Sequence, residues 1–232
     1  MTQLAYPGLE LQEAYRGIDF DRGYKISNVF GAASSADQSP QLFLVDVVPG
    51  WHIRPHHHDV PQFQVVVRGG GRMGHHEFAA PYVHFADGWT AYGPLEAGQH
   101  GMSFFTIRAS ADTGAHYMPE ERERLAARPR GRQEQAALRP YGTVPAATCE
   151  HVCVELRPDG LSASDIDLAP GASIPPDGVP GQVRRLLLVL EGSVARGGTN
   201  YPSYSWFSDA DGSTELRAGG QGARLLRLTL PG

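Results

Sequence analysis

Four segments of the first half of the chain recur in the same order in the second half, and this internal repeat limits the possible folds more than any other feature. The paired segments are separated by nearly constant distances and share Asp, Pro, Gly and apolar residues at matching positions. Such an ordered set of matches indicates a duplicated structural unit. The pairs are 45–55 with 166–176, 65–70 with 188–193, 86–90 with 210–214, and 97–108 with 218–229.

Short apolar or alternating runs dominate each copy, and they end at Gly, Pro, Asp or Asn. Runs such as QLFLVDVV and RRLLLVLEG have the length and composition of β-strands. Many short strands separated by Gly- and Pro-rich turns are typical of small antiparallel barrels and jelly rolls. We therefore predict an all-β protein with two tandem barrels.

The segment between the two copies has a different character. Pro119 suits the first turn of a helix, helix-forming residues follow it, and Pro129 comes directly after them. With the polar stretch beyond, this predicts a short helical linker over 119–140. The predicted domains are an N-terminal barrel over 1–118 and a C-terminal barrel over 141–232.

Composition and charge argue against several classes of protein. The net charge is −5 and no basic cluster is interleaved with aromatic residues, so we expect no nucleic-acid partner. No apolar run approaches the roughly 20 residues of a membrane span, so we expect no membrane partner. The N-terminal residues lack the basic and apolar regions of a secretion signal, so we expect a cytoplasmic location.

The two cysteines, Cys149 and Cys153, lie in a segment that alternates like a strand. Residues four apart on a strand are about 13 Å from each other, and a disulfide requires a much shorter separation. We therefore predict two free thiols, as expected in a reducing compartment. The same distance disfavours a metal site built on this cysteine pair.

Histidines are concentrated in the first copy, where eight of the ten lie within residues 52–100. His56 and His58 are two residues apart, so on a strand their side chains face the same side, and Gln62 follows in the same parity. Two imidazoles and an amide oxygen that converge suit a divalent transition metal. We predict these three residues as metal ligands, and we expect His57, of opposite parity, at the surface.

The pattern Gly50-x5-His56-x-His58-x3-Gln62-x6-Gly69 resembles the first conserved motif of the cupins, with Gln where the family usually has Glu. The resemblance implies the double-stranded β-helix, or jelly-roll, barrel, and the internal repeat then implies a bicupin. The stretch 201–228 is similar to the C-terminal cupin of ChrR-like anti-sigma factors, without the ligands. Cupins often pair through barrel edges, which implies a homodimer.

Cupins place a further histidine in a second motif, and the repeat assigns that position here to Ala91, which cannot bind a metal. The last ligand therefore stays open between the adjacent Tyr92, His100 and one of the pair His75 and His76. A hairpin that turns at the glycines following residue 68 would place one of that pair opposite Gln64, as a ligand or a general base. We take His76 and Tyr92 as the candidate catalytic residues and His100 as a further candidate ligand.

The second copy lacks histidines at the equivalent positions, so we predict a structural barrel without metal ligands there. These positions are Asp177, Val179, Arg184 or Arg185, and Glu215.

The predicted function is that of a metal-dependent cupin enzyme acting on a small oxygenated metabolite, such as a diketone, an enol or a hydroxylated aromatic compound. Bicupin dioxygenases imply iron(II) as the first choice of metal and oxygen-dependent cleavage as the favoured chemistry. With zinc or nickel, an isomerase, cyclase or lyase is the alternative. A non-catalytic small-molecule-binding or sensor bicupin is the third interpretation.

Overall fold

The computed structural model describes residues 5–6, 23–31, 40–142, 147–174, 184–208 and 215–230. These residues form an almost entirely β structure, as predicted. The elements of the first part, in chain order, are β1 (Ala5–Tyr6), β2 (Tyr24–Phe30), β3 (Gln41–Val47), β4 (His52–Ile53), β5 (His56–His57), β6 (Gln62–Met73), β7 (His76–Ala79), β8 (Tyr82–Ala86), β9 (Leu95–Arg108), β10 (His116–Tyr117), α1 (Arg122–Ala126) and β11 (Gln133–Ala137). The remaining elements are β12 (Cys149–Val154), β13 (Ser162–Leu168), β14 (Arg184–Arg196), β15 (Thr199–Pro202), β16 (Trp206–Ser208) and β17 (Arg217–Leu230).

The chain divides into two compact units, an N-terminal unit of Gln12–Leu138 and a C-terminal unit of Arg139–Gly232 together with Met1–Leu11. This differs from the predicted boundaries at both ends of the first barrel. Strand β1 pairs with β16, so the start of the chain belongs to the C-terminal unit. The predicted linker contains α1, but it also contains β11, which pairs with β8 and so extends the sheet of the N-terminal unit.

The N-terminal unit is built on an antiparallel sheet with the strand order β11-β8-β6-β9-β3-β2. Strand β4 pairs with β9, β7 pairs with β6, and β10 forms a separate two-stranded ribbon with β5. The central strands β3, β6, β8 and β9 are buried along most of their length. Apolar residues of these strands form the core, where the rings of Phe63 and Phe85 lie 5.0 Å apart.

The C-terminal unit repeats this arrangement with the strand order β16-β14-β17-β13-β12. The run β14-β17-β13 corresponds to β6-β9-β3, so the repeated segments occupy equivalent places in two sheets. Matching turns agree as well, because Gly50 and Gly171 both have φ of 71°. The predicted duplication is therefore visible in the fold. Positions Asp177 and Val179 lie outside the described residues, and so does the second copy of the 86–90 turn.

Three consecutive glycines lie within β6, although the sequence predicted a hairpin turn at this point. A Cβ atom on Gly69 would lie 2.0 Å from the carbonyl oxygen of Gly101, and one on Gly71 would lie 2.0 Å from that of Glu96. The glycines thus allow neighbouring backbones to approach closely instead of reversing the chain. The reversal follows Met73, which pairs with His76 across a two-residue turn. The only helix in the described ranges has five residues, too few to cross a membrane.

Candidate metal centre

His56 and His58 both line a cavity of about 260 Å³ in the N-terminal unit, as their shared parity predicted. Both side chains are buried, with 5 % and 8 % of their surface exposed. The position of His56 is fixed by backbone hydrogen bonds with Tyr92, in which each amide nitrogen donates to the other residue's carbonyl oxygen, at 3.1 and 3.0 Å. The two imidazole rings lie edge to face with their centroids 5.2 Å apart.

Each imidazole is oriented by a hydrogen bond at Nδ1. In His56, Nδ1 lies 2.8 Å from the carbonyl oxygen of Arg54, and in His58, Nδ1 lies 2.7 Å from Oδ2 of Asp112. Because both acceptors lack a proton to give, each Nδ1 carries the hydrogen and each Nε2 carries the lone pair. Metal-binding histidines have this arrangement, since it fixes both the tautomer and the ring direction.

The Tyr92 hydroxyl completes this group of donors. Its Oη lies 3.1 Å from Nε2 of His56 and accepts a hydrogen bond from the side-chain amide of Gln62. Tyr92, the residue next to Ala91 in the sequence, therefore contacts His56. Behind it lies His84, whose ring centroid is 4.9 Å from that of Tyr92 and whose Nδ1 bonds to Gln64.

A buried arginine enters the site that sequence reasoning did not include. Arg108 on β9 is the direct cross-strand partner of Gln62 on β6 and of Gln41 on β3, so these three residues form one row across the sheet. Its Nε donates to Oε1 of Gln62 at 2.8 Å, and Nη1 donates to Oε1 of Gln41 at 3.1 Å. Its Nη2 lies 3.2 Å from Nδ1 and 3.4 Å from Nε2 of His58. The Gln62 oxygen is thus already occupied by a cation.

Asp112 balances the charge of Arg108, with Oδ2 lying 3.4 Å from Nη1. The same carboxylate accepts hydrogen bonds from His58 and from the amides of Asp59 and Gly114. Burial alone would raise the pKa of Asp112, but the hydrogen bond from His58 and the charge of Arg108 lower it to about 2. Asp112 is therefore an anion throughout the neutral range.

The imidazoles of the site are neutral in the same range. Burial, together with the neighbouring His58 and Arg108, lowers the pKa of His56 to about 4. Burial also lowers the pKa of His58, against the opposing effect of Asp112. Burial raises the pKa of the Tyr92 hydroxyl above its ordinary value. The two histidines thus offer lone pairs, and Tyr92 holds its proton until something at the site stabilises the anion.

The donor chemistry fits a transition metal. His56 Nε2, His58 Nε2 and Tyr92 Oη are the three donors that this arrangement offers, and imidazole nitrogen suits zinc, copper, iron and nickel alike. Gln62 belongs to the cluster, but its oxygen is directed to Arg108 and its amide nitrogen to Tyr92. Both ends of the Gln62 amide, predicted as a ligand, are therefore engaged by neighbouring side chains.

Other candidates lie elsewhere. His76 is exposed beside the β6–β7 turn, because β6 continues through its glycines and pairs Gln64 with His84 instead. His100 is exposed in the irregular part of β9, where it contacts the side chain of Gln99. Neither these two histidines nor His75 lines the cavity, so they are not placed to serve as ligand or base.

His57 is buried, contrary to the surface position expected from its parity. Its ring stacks on that of His116 at a centroid distance of 5.0 Å and lies 5.2 Å from that of Trp89. Strand β10, which pairs with the strand of His57, and the turn that carries Trp89 cover this face. The alternation of residues along one strand does not reveal a cover formed by a distant segment.

Arg108, Asp112 and His84 are the site residues that the sequence analysis missed. Arg108 shares the parity of Phe104 and Thr106, which line the same cavity, so alternation along β9 was an available signal. Asp112 lies in the loop after that strand, where no periodic pattern exists.

No family model matches the sequence, and no curated protein matches it either. Solved structures do match along nearly its whole length. The bacterial pirin YhhW from Escherichia coli in complex with nickel(II) has a TM-score of 0.62 at 13 % identity, covering 99 % of both chains. The chain has the cupin fold. The fold predicted from the first motif and the internal repeat is thereby confirmed, while the ChrR-like character of the second barrel stays a prediction.

Two further structural neighbours are described as dioxygenases. A protein from Nostoc punctiforme, named as a candidate dioxygenase, has a TM-score of 0.65 at 12 % identity, covering 98 % of this chain and 79 % of its own. Salicylate 1,2-dioxygenase from Pseudoaminobacter salicylatoxidans has a TM-score of 0.58 at 13 % identity, covering 98 % and 81 %. At these identities the similarity establishes the fold alone.

Proposed function

We propose that this chain is a metal-dependent cupin enzyme that acts on a small oxygenated metabolite, with oxygen-dependent cleavage as the favoured reaction. The observation that carries the proposal is the pair of buried, neutral imidazoles whose Nδ1 atoms are fixed by Arg54 and Asp112. Both rings line one cavity, and the Tyr92 hydroxyl lies 3.1 Å from Nε2 of His56. Two structural neighbours support the proposal, since one is a pirin in complex with nickel(II) and another is a dioxygenase.

Iron(II) is the proposed metal, followed by zinc or nickel. When bound, iron(II) supplies the redox chemistry that oxygen-dependent cleavage of a carbon–carbon bond requires, whereas zinc or nickel supplies Lewis acidity for an isomerase, cyclase or lyase. His56 and His58 would hold the ion, and Asp112 would keep the His58 ring in place. Tyr92 holds a proton at Oη beside His56, so it is the group placed to donate that proton or to become a third ligand.

The charges of the site favour an acidic substrate. Arg108 and Asp112 cancel each other, so a divalent ion beside the two neutral histidines leaves the site with excess positive charge. A carboxylate or an enolate offsets that excess and can accept a charge-assisted hydrogen bond from Nη2 of the buried guanidinium. Substrates that combine two adjacent oxygens with a negative charge are therefore the class we propose.

The size of the cavity limits the substrate further. Engineered cavities of about 150 Å³ hold a benzene molecule, so about 260 Å³ accommodates one substituted ring or a short diketone. Tyr24, Ile26 and Tyr117 line this cavity and remain partly exposed, which places them at its mouth. Apolar walls with a few convergent polar groups are typical of small-molecule sites.

One observation favours a non-catalytic alternative. Arg108 occupies the oxygen of Gln62, so the site offers the metal one donor fewer than the cupin motif suggests. A protein that binds an acidic metabolite through Arg108, without a metal, is the second candidate function.

Metal analysis of protein prepared without a histidine tag tests the proposal. We expect one equivalent of a transition metal to be lost in His56→Ala and retained in His100→Ala, which changes an exposed histidine. Oxygen uptake with hydroxylated aromatic acids and diketones then separates a dioxygenase from an isomerase. A metal content that is the same in His56→Ala and wild type would refute this site, and tight binding of an acidic compound to the metal-free protein would support the alternative.

A further inference from the structure

A second group of metal-binding side chains lies in the C-terminal unit, away from any position of the cupin motif. Cys149 and His151 lie two residues apart on β12, and Asp167 on β13 is the direct cross-strand partner of Cys149. Strand β12 is the last strand of the described sheet. The antiparallel register therefore brings a thiol, an imidazole and a carboxylate together on one side of two neighbouring strands.

The separations of the three donor atoms match those around a tetrahedral zinc ion. Cys149 Sγ lies 3.4 Å from His151 Nε2 and 3.4 Å from Asp167 Oδ2, and His151 Nε2 lies 3.7 Å from Asp167 Oδ2. Zinc bonds of about 2.3 Å to sulfur and about 2.0–2.1 Å to nitrogen or oxygen place donors at tetrahedral angles about 3.3–3.6 Å apart. All three donor atoms lie within 4.8 Å of one another.

We propose that Cys149, His151 and Asp167 bind a zinc ion, with a water molecule as the fourth ligand. Thiolate, imidazole and carboxylate together are donors that zinc accepts and that magnesium or calcium does not favour. The ion cross-links the terminal strand β12 to its neighbour β13. A site with three protein ligands and one exchangeable position is also the type that activates water.

The burial and anchoring of Asp167 indicate that its carboxylate is held in place before an ion binds. The Asp167 side chain is fully buried, and its Oδ1 accepts a hydrogen bond from Arg139, which directs Oδ2 toward the other two donors. The His151 side chain is 57 % exposed, so an ion reaches the site from solvent without rearrangement of the core. An anchored carboxylate beneath an accessible imidazole and thiol leaves the outer side of the ion open to water.

Cys153 is the matched control. It is the only other cysteine of the chain, and the register of β12 shifts between Val152 and Val154. Its Sγ donates to the backbone carbonyl oxygen of His151 instead of joining the cluster. Because the N-terminal metal centre contains no sulfur donor, a thiolate signal reports on the C-terminal site alone.

Cobalt(II) titration of the full chain, followed by absorption spectroscopy, tests the proposal. We expect a cysteine-to-cobalt charge-transfer band that saturates at one equivalent in wild type and in Cys153→Ser. The band should be absent in Cys149→Ser and strongly weakened in His151→Ala, and zinc should displace the cobalt. Circular dichroism of the metal-free variants verifies that they are folded.

The proposal is overturned if wild type shows no such band, if Cys149→Ser keeps it, or if the band grows without saturation, which would mean an adventitious ion only. Zinc provides a second measure. It should raise the melting temperature of His56→Ala, in which the proposed N-terminal site is disrupted, because binding to the folded state stabilises it, and should not do so in the double variant His56→Ala/His151→Ala. Equal shifts in these two variants would also count against the site.

Discussion

At the scale of residues, the buried cation Arg108 and the buried anion Asp112 influence the orientation and the charge of the two imidazoles in the candidate site. A buried ion pair is costly unless its remaining polar atoms find partners. Here Asp112 accepts from the amides of Asp59 and Gly114 as well as from His58, so the carboxylate is fixed. A fixed carboxylate in turn fixes the ring of His58, and this is the role that we propose for it in metal binding.

Asp112→Asn tests this positioning role. The neutral amide still accepts a hydrogen bond from His58 but no longer increases the basicity of the ring, so we expect metal affinity to fall roughly 10- to 100-fold. Asp87→Asn is the matched control, because Asp87 pairs with Arg132 and is not among the residues lining the cavity. Competitive titration with a chelator measures the metal affinity of both variants. Equal affinities in the two variants would show that Asp112 does not act through His58.

His84 makes the stability of the metal-free protein depend on pH. Burial lowers the pKa of His84 from 6.5 to about 4, so the unfolded chain binds more protons than the folded chain between these values. The free energy of unfolding therefore rises with pH across this window and falls as the solution is acidified toward pH 4. We expect a shallower slope in His84→Gln than in wild type, measured by urea unfolding. A wild-type slope in His84→Gln would contradict this assignment.

The sequence predicted part of this site because some of its geometry is local. His56 and His58 follow from strand alternation, and Tyr92 from the register of the internal repeat. Arg108 was missed because its partner Gln62 lies on a strand 46 residues earlier, and the register between distant strands is not contained in either strand's own pattern. The predicted position of His76 opposite Gln64 is wrong, because the glycines continue strand β6 and do not form the predicted turn.

At the scale of elements, the glycines of β6 illustrate why that mistake occurs. Glycine is favoured both in turns and where two backbones approach closely, and composition does not separate the two uses. Gly69 combines both features, with φ of 69° and a Cβ position 2.0 Å from the oxygen of Gly101. Gly50 has a similar φ of 71° but no atom within 4 Å of its Cβ position. A comparison of substitutions at Gly50 and Gly69 therefore separates the cost of backbone strain from the cost of a steric clash with a neighbouring strand.

Gly69→Ala should destabilise the protein more than Gly50→Ala. Both substitutions place a side chain at positive φ, which costs about 1–2 kcal/mol, but only Gly69→Ala also pushes β6 away from β9. We expect the free energy of unfolding to fall by about 1 kcal/mol for Gly50→Ala and by at least about 2 kcal/mol more for Gly69→Ala. Chemical denaturation measures the difference. Similar losses for the two variants would mean that β9 adjusts without cost.

At the scale of the whole molecule, two barrels with the same strand order carry different clusters of candidate metal ligands. The strand order β14-β17-β13 repeats β6-β9-β3, and each unit has its own apolar core. Duplication was predictable because its signal is spread over four segments. The assignment of β1 to the C-terminal unit was not, because a two-residue strand carries no periodic pattern.

Separate cores predict that damage to the C-terminal barrel leaves the N-terminal metal centre intact. Leu225 is fully buried in the C-terminal core, so Leu225→Ala should lower the free energy of unfolding by about 2–5 kcal/mol. Leu156→Ala, at a half-exposed leucine of the same unit, should change it by less than about 0.5 kcal/mol.

Every hydrogen bond described above around His56 and His58 lies within Gln12–Leu138. Metal affinity at this centre, measured under conditions where the variants stay folded, should therefore be the same in Leu225→Ala, Leu156→Ala and wild type. A loss of affinity in folded Leu225→Ala, without a loss in Leu156→Ala, would show that the second barrel supports the metal centre of the first. The two barrels would then have been retained together for function and not for stability alone.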